Sequence, residues 1–286
     1  MRPFYLTDQA LHDFIISALA EDIGDGDHST LGAVPPEKVC KAHLLIKDKG
    51  ILAGLEIAER IFHEIDPSLK IILHHHEGET VQNGEIAFTV EGSARAIITA
   101  ERLVLNCMQR MSGIASYTHR LCKLIEGTGA LLMDTRKTTP NFRLLEKWAV
   151  AIGGGQNHRF ALYDMVMLKD NHVDMAGGIR AAIENTKRYL LHTHKDLKVE
   201  IETRNIQEVK EVLEVGGVDV IMLDNMSIDS MTEAVKLIGG LYKTEASGGI
   251  TESTLRSIAE CGVDYISVGA LTHSVKSLDL SLKVEK

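Results

Sequence analysis

Val199-Glu200-Ile201-Glu202-Thr203, then Val218-Asp219-Val220-Ile221-Met222-Leu223-Asp224, then Thr244-Glu245-Ala246-Ser247 decide the fold class. Each is a short, mostly apolar run that closes on a polar or small residue. Working outward, the same rhythm holds for Ala130 to Met133, Met165 to Leu168 and Tyr265 to Val268. The residues just past the six runs are Thr135, Lys169, Glu202, Asp224, Ser247 and Gly269, at intervals of 34, 33, 22, 23 and 22. Parallel strands need a crossover of about a dozen residues or more, so these intervals fit repeated strand–helix units. No G-x-G-x-x-G follows any of the runs, which favours a β/α barrel, closed or nearly so, over an open dinucleotide-binding sheet.

Ahead of that region the rhythm differs. Lys41 to Ala100 mixes extended runs (His43 to Ile46, Leu69 to Leu73, Ile86 to Val90) with the amphipathic stretch Glu56 to Ile65, the pattern of an α+β domain. Ala94 to Ile125 has helical spacing, with Leu103, Cys107 and Met111 four apart. Ser112 and Gly113 are expected to mark a break between two helices.

Composition narrows the function class. The chain has 286 residues with 31 Lys plus Arg against 40 Asp plus Glu, a formal charge of −9 that argues against a general nucleic-acid or anionic-membrane binder. An anionic substrate would need a local cluster of cations. No stretch offers the roughly 20 apolar residues that span a bilayer, and a cytoplasmic location is expected. Cys40, Cys107, Cys122 and Cys261 are too scattered for a disulfide framework and are read as reduced. His74-His75-His76 is not expected to converge on a metal, because adjacent side chains in an extended run alternate faces.

In a β/α barrel the active site lies at the C-terminal ends of the strands, and the polar residues past each run fall there. Asp134-Thr135-Arg136-Lys137-Thr138-Thr139-Pro140 sets two cations beside three hydroxyls. Arg can grip a carboxylate with two parallel hydrogen bonds, while Lys serves phosphate as a point charge. Gly153-Gly154-Gly155-Gln156-Asn157-His158-Arg159 adds an imidazole and a second guanidinium, and Lys169 follows the next run. Glu200 and Glu202 share one strand face, either as partners of these cations or in the service of a cationic transition state or a metal. Asp224 stands in the same relation to the following run. The small-residue loops Ser247-Gly248-Gly249 and Val268-Gly269-Ala270 suit phosphate, bound through exposed backbone N–H groups.

At these residues the chain resembles the quinolinate phosphoribosyltransferases. The likeness runs from Glu21-Asp22-Ile23-Gly24 and Gly26-Asp27, through Glu101-Arg102 with Asn106 and the long block Asp134 to His172, to Glu245-Ala246-Ser247-Gly248-Gly249-Ile250. Departures are Asn141 where glycine is expected, tolerable in a left-handed turn, and Gln156 where lysine is common.

The resemblance implies an α/β N-terminal sandwich domain over residues 1–113, to which the tail 272–286 returns, and an incomplete barrel over 114–271. It implies phosphoribosyl transfer from PRPP to quinolinate with decarboxylation, giving nicotinate mononucleotide. Arg102, Thr135, Arg136, His158, Arg159 and Lys169 would bind quinolinate. Lys137, Glu202, Asp224, Ser247, Gly248, Gly249, Val268, Gly269 and Ala270 would surround PRPP, with Glu202 and Asp224 holding its magnesium. Lys137, Lys169, Glu202 and Asp224 would carry catalysis, and of the two strand carboxylates the family spacing to Asp224 favours Glu202 for the ribose. A homodimer or higher homo-oligomer with shared sites is also implied, Arg102 completing a neighbour's pocket. Two alternatives stay open: a paralogous pyrophosphorylase-like protein of the same fold, and a non-catalytic phosphometabolite-binding barrel. The full set of cations speaks against the first, and intact Lys137, Glu202 and Asp224 against the second.

Overall fold

The structure is a computed structural model that describes residues 3–285. In chain order its elements are α1 (Asp8–Ile23), α2 (His28–Ala33), β1 (Val39–Ile46), β2 (Gly50–Ile51), α3 (Leu55–Ile65), β3 (Lys70–Leu73), β4 (Thr80–Val81), β5 (Ile86–Ser93), α4 (Ala94–Leu124), β6 (Leu131–Met133), α5 (Arg143–Ile152) and β7 (Val166–Leu168). There follow α6 (Asp170–Ala176), α7 (Ile179–Thr193), β8 (Val199–Thr203), α8 (Ile206–Val215), β9 (Val220–Asp224), α9 (Ile228–Ile238), β10 (Lys243–Ser247), α10 (Glu252–Ala259), β11 (Tyr265–Ser267), α11 (Ala270–His273) and β12 (Leu280–Val284). They form two compact units, one of Met1–His119, Thr138–Gly154 and Ala270–Lys286, the other of Arg120–Lys137 and Gly155–Gly269.

The first unit is built on an antiparallel sheet of order β12-β1-β5-β3. Helix α3 buries Leu55, Ile57, Ala58, Ile61 and Phe62, and Phe62 meets Phe88 of β5 edge to face at 5.8 Å. Each such aliphatic or aromatic side chain taken from water contributes about 1.5–3 kcal/mol. Because Gly54 has no side chain to cap α3, the Glu77 carboxylate does so, accepting the Gly54 N–H at 3.0 Å and the Glu56 N–H at 3.1 Å. His74 and His75 take separate partners: His74 Nε2 lies 2.8 Å from Thr89 Oγ1, and His75 Nδ1 3.2 Å from Glu79 Oε2.

The expected helix break at Ser112 and Gly113 does not occur, since α4 runs unbroken through both. Their small size serves close packing instead. Ser112 Oγ accepts the Ala53 N–H at 2.9 Å and donates to the Ala53 carbonyl at 3.1 Å. A Cβ on Gly113 would stand 2.4 Å from the Lys276 carbonyl oxygen, so glycine there makes room for the C-terminal segment.

The second unit is the α/β part, a parallel sheet of order β6-β11-β10-β9-β8-β7 with helices between successive strands. Helix α8 buries Val209 and Val212, α9 buries Met231, Ala234 and Ile238, and α10 buries Leu255, Ile258 and Ala259. Every residue of β8 is buried, as parallel strands covered on both faces require. Among the described residues β6 and β7 do not pair with each other, and the barrel is therefore incomplete. On β6, Gln156 forms a parallel bridge to Met133, its N–H donating to the Leu132 carbonyl at 2.7 Å. No helix among the described residues is long and apolar enough to cross a membrane.

Candidate active site

Parallel pairing puts the C-terminal ends of the six strands at one edge of the sheet. The register aligns Ser267 with Met133, Ser247 with Asp224, and Met222 with Glu202. Thr135, Arg136 and Lys137 follow β6, Lys169 follows β7, Glu202 and Asp224 close β8 and β9, Ser247 to Gly249 close β10, and Val268 and Gly269 follow β11. All of these belong to the second unit, as do His158 and Arg159, whereas Arg102, exposed on α4, and Ala270, the first residue of α11, belong to the first.

The cations are held rather than loose. Thr135 Oγ1 accepts the Lys137 N–H at 3.1 Å, tightening the turn after β6, and Arg136 Nε is buried with no hydrogen-bond partner among the described residues. A buried guanidinium donor left open is suited to an incoming anion. Arg159 Nη1 donates to the Met165 carbonyl at 3.2 Å. Burial first, and then the neighbouring Arg136 charge, hold the Arg159 guanidinium below its ordinary value. Two guanidiniums this close repel each other, and a dianion between them would relieve that repulsion.

Carboxylates face them. Lys169 Nζ donates to Glu202 Oε2 at 3.3 Å. Burial raises the Glu202 carboxyl, the Lys169 charge opposes that rise, and the Asp224 charge adds to it. Asp224 Oδ2 accepts from Asn225 Nδ2 at 2.7 Å, and the Asn225 N–H donates to the Ser247 carbonyl at 2.9 Å, so the loops after β9 and β10 are laced together. Gly248 makes that possible: its φ is +90°, and a Cβ there would lie 2.3 Å from Asn225 Oδ1. Asn141, which stands where glycine was expected, adopts a φ of 61° and fills the left-handed turn.

Asp134 and Glu245 received no role from the sequence, and Glu200 only the open alternatives it shared with Glu202. Asp134, fully buried, accepts from Asn157 Nδ2 at 2.7 Å and from the His158 N–H at 2.9 Å. His158 Nε2 lies 2.8 Å from Glu200 Oε2 and 3.3 Å from Glu245 Oε2, and both glutamates are almost wholly buried. Burial pushes this imidazole down and the two carboxylates push it up, while the Arg159 N–H aimed at Nδ1 at 2.7 Å leaves that nitrogen an acceptor, so the ring carries its proton on Nε2. Burial and then the Glu245 charge push the Glu200 carboxyl up to about 7. The alternation along β8 is the one signal that pointed to Glu200. Glu245 lay in plain view in a motif quoted for its glycines.

His158, Glu200 and Glu245 offer three ligand atoms within 4.8 Å of one another. A cation there would have to displace the Nε2 proton and sit near Arg159, whose charge already acts on Glu200. Glu202 and Asp224, by contrast, present oxygen donors from adjacent strands, a set suited to a hard divalent ion.

Comparison with known proteins agrees with this geometry. The family model for the quinolinate phosphoribosyl transferase C-terminal domain matches residues 114–283, and that for the N-terminal domain matches residues 27–112. A Nicotiana glauca protein named quinolinate phosphoribosyltransferase [decarboxylating] 2, mitochondrial, is 47% identical over 283 residues, covering 94% of this chain and 80% of its own. A chloroplastic nicotinate-nucleotide pyrophosphorylase [carboxylating] from Oryza sativa subsp. japonica is also 47% identical, covering 94% of this chain and 76% of its own. The crystal structure of NadC from Streptococcus pyogenes superposes with a TM-score of 0.91 at 38% identity, over 98% of this chain and 99% of that one. The chain belongs to the quinolinate phosphoribosyltransferase family.

Proposed function

We propose that this chain transfers the phosphoribosyl group of PRPP to quinolinate, releasing pyrophosphate and carbon dioxide and giving nicotinate mononucleotide for NAD biosynthesis. The observation that carries the reading is the pairing of Arg136, with its open buried Nε, and Arg159 at the same sheet edge as Glu202 and Asp224. Quinolinate brings two adjacent carboxylates, and two guanidiniums with Lys169 match that charge. The loops Ser247-Gly248-Gly249 and Val268-Gly269-Ala270, with Lys137, take the phosphates of PRPP.

Reaction begins as the bond from ribose C1 to pyrophosphate breaks and positive charge grows on the ring, which the Glu202 and Asp224 carboxylates stabilise. The pyridine nitrogen donates its lone pair to C1. Once quaternised, its positive charge stabilises the electron pair left on C2 when the 2-carboxylate departs as carbon dioxide, and that pair takes a proton from solvent. The cations must hold the 3-carboxylate while the 2-carboxylate sheds its charge, a demand met by binding the transition state more tightly than the substrate. Magnesium held with PRPP by Glu202 and Asp224 would neutralise the departing pyrophosphate, and their all-oxygen donor set and mutual repulsion support that assignment.

The working unit in this reading is a homodimer or larger homo-oligomer in the cytoplasm, in which exposed Arg102 of one subunit completes its neighbour's quinolinate pocket. Free cysteines at 40, 107, 122 and 261 are in keeping with a reducing compartment. Substrate competition tests the activity. Quinolinate should turn over while nicotinate, with one carboxylate, stays almost unused, and equal turnover of the two would overturn the assignment.

A further inference from the structure

Both ring nitrogens of His158 lie against polar groups of the protein. Nε2 faces Glu200 Oε2 at 2.8 Å and Glu245 Oε2 at 3.3 Å, and Nδ1 accepts the backbone N–H of Arg159 at 2.7 Å. The His158 N–H in turn is fixed to Asp134 at 2.9 Å. The chain from β10 and β8 through the imidazole thus ends on the backbone of the residue whose guanidinium faces the anion site. Glu200 and Glu245 are 0% and 1% exposed, which puts them out of reach of any substrate.

We infer that Glu245 and Glu200 are positioning residues: by gripping the His158 ring from the barrel interior they set the backbone of Arg159 and so aim its guanidinium at the quinolinate carboxylate. This rests on the proposed quinolinate reading and deepens it by naming what holds His158 and Arg159 in place beside the quinolinate pocket. Buried carboxylates without a catalytic contact need a reason, because burying their charge is costly unless it is paired. Gripping one ring nitrogen from two strands supplies that reason, since it leaves the ring a single orientation with Nδ1 open to the Arg159 amide. It also supplies a counter-charge behind the Arg136 and Arg159 pair, for Glu200 and Arg159 interact electrostatically.

Glu245→Gln keeps the shape and one acceptor oxygen, and Glu245→Ala keeps neither. KM for quinolinate should rise about tenfold in Glu245→Gln and roughly a hundredfold in Glu245→Ala, as befits a weakened and then a lost buried polar contact. KM for PRPP and kcat should each stay within about threefold of wild type, a split that a merely structural role would not produce. Calorimetric titration with quinolinate alone should follow the same order. Unchanged quinolinate KM in both variants, or an equal loss in both substrates, overturns the inference. A second readout needs no turnover. With 15N-labelled histidine, NMR of the wild-type protein should show a slowly exchanging Nε2–H signal that His158→Gln removes and Glu245→Ala shifts. Its absence in wild type overturns the grip itself. Wild-type protein that shows this signal but does not use quinolinate would count against the proposed function and leave the grip standing.

Discussion

Arg159→Lys keeps the positive charge of the anion site and removes its planar fork, which makes it a sharp test of how quinolinate is held. Arg159 spends Nη1 on the Met165 carbonyl at 3.2 Å, and that bond orients the rest of the guanidinium. Lysine cannot make this bond and a second parallel pair to a carboxylate at once. One hydrogen bond to a charged group is worth about 1.5–3 kcal/mol, and 1.4 kcal/mol is a factor of ten, so quinolinate should bind about 10- to 100-fold more weakly. The loss belongs to KM, because bond breaking at ribose C1 is served by Glu202 and Asp224. Steady-state kinetics with quinolinate varied at saturating PRPP, and then the reverse, reads it out, with circular dichroism to check folding. A normal quinolinate KM with kcat reduced 100-fold would refute the reasoning, because it would put the contact of Arg159 in the transition state alone.

Gly248→Ala should lower kcat/KM for PRPP by about tenfold or more: a side chain at φ +90° costs roughly 1–2 kcal/mol and would push Asn225 away from Asp224, whereas wild-type kinetics would mean that this loop does not meet PRPP. Asp264, hydrogen-bonded to Thr244 and ion-paired with exposed Lys243, is raised by burial but held below its ordinary 3.8 by these partners. Its stabilising contribution is therefore present above pH 3.8 and lost as pH falls below it; urea unfolding should show Asp264→Asn weaker by about 1 kcal/mol at pH 7 and the gap closing near pH 3, and a gap that widens in acid would contradict the sign. Co-expressed Arg102→Ala and Lys137→Ala chains, each inactive alone, should regain about a quarter of the wild-type sites by random pairing, while verified heterodimers that stay dead would remove Arg102 from a shared pocket.

The barrel was readable because strands buried on both faces write themselves as apolar runs, and because their spacing leaves room for one helix each. Lys169 and Asp224 were readable for the same reason, each marking the end of such a run. Residues set by packing across the chain left weaker marks. Gly113 looked like a helix breaker, yet its cause is the Lys276 carbonyl, more than 160 residues away in sequence. Glu200 and Glu202 alternate onto one face, and alternation alone could not part them. Two residues along a strand span about 6–7 Å, enough to put Glu202 beside Lys169 near the mouth and Glu200 deeper, against His158. Glu245 pairs with a histidine from a distant loop, a link that no local pattern in β10 could signal.

The most direct test of the account follows carbon. Quinolinate labelled in its 2-carboxylate, incubated with PRPP, magnesium and the purified protein, should release labelled carbon dioxide, pyrophosphate and nicotinate mononucleotide in equal amounts. Release of pyrophosphate without labelled carbon dioxide, or label retained in the nucleotide, would contradict it.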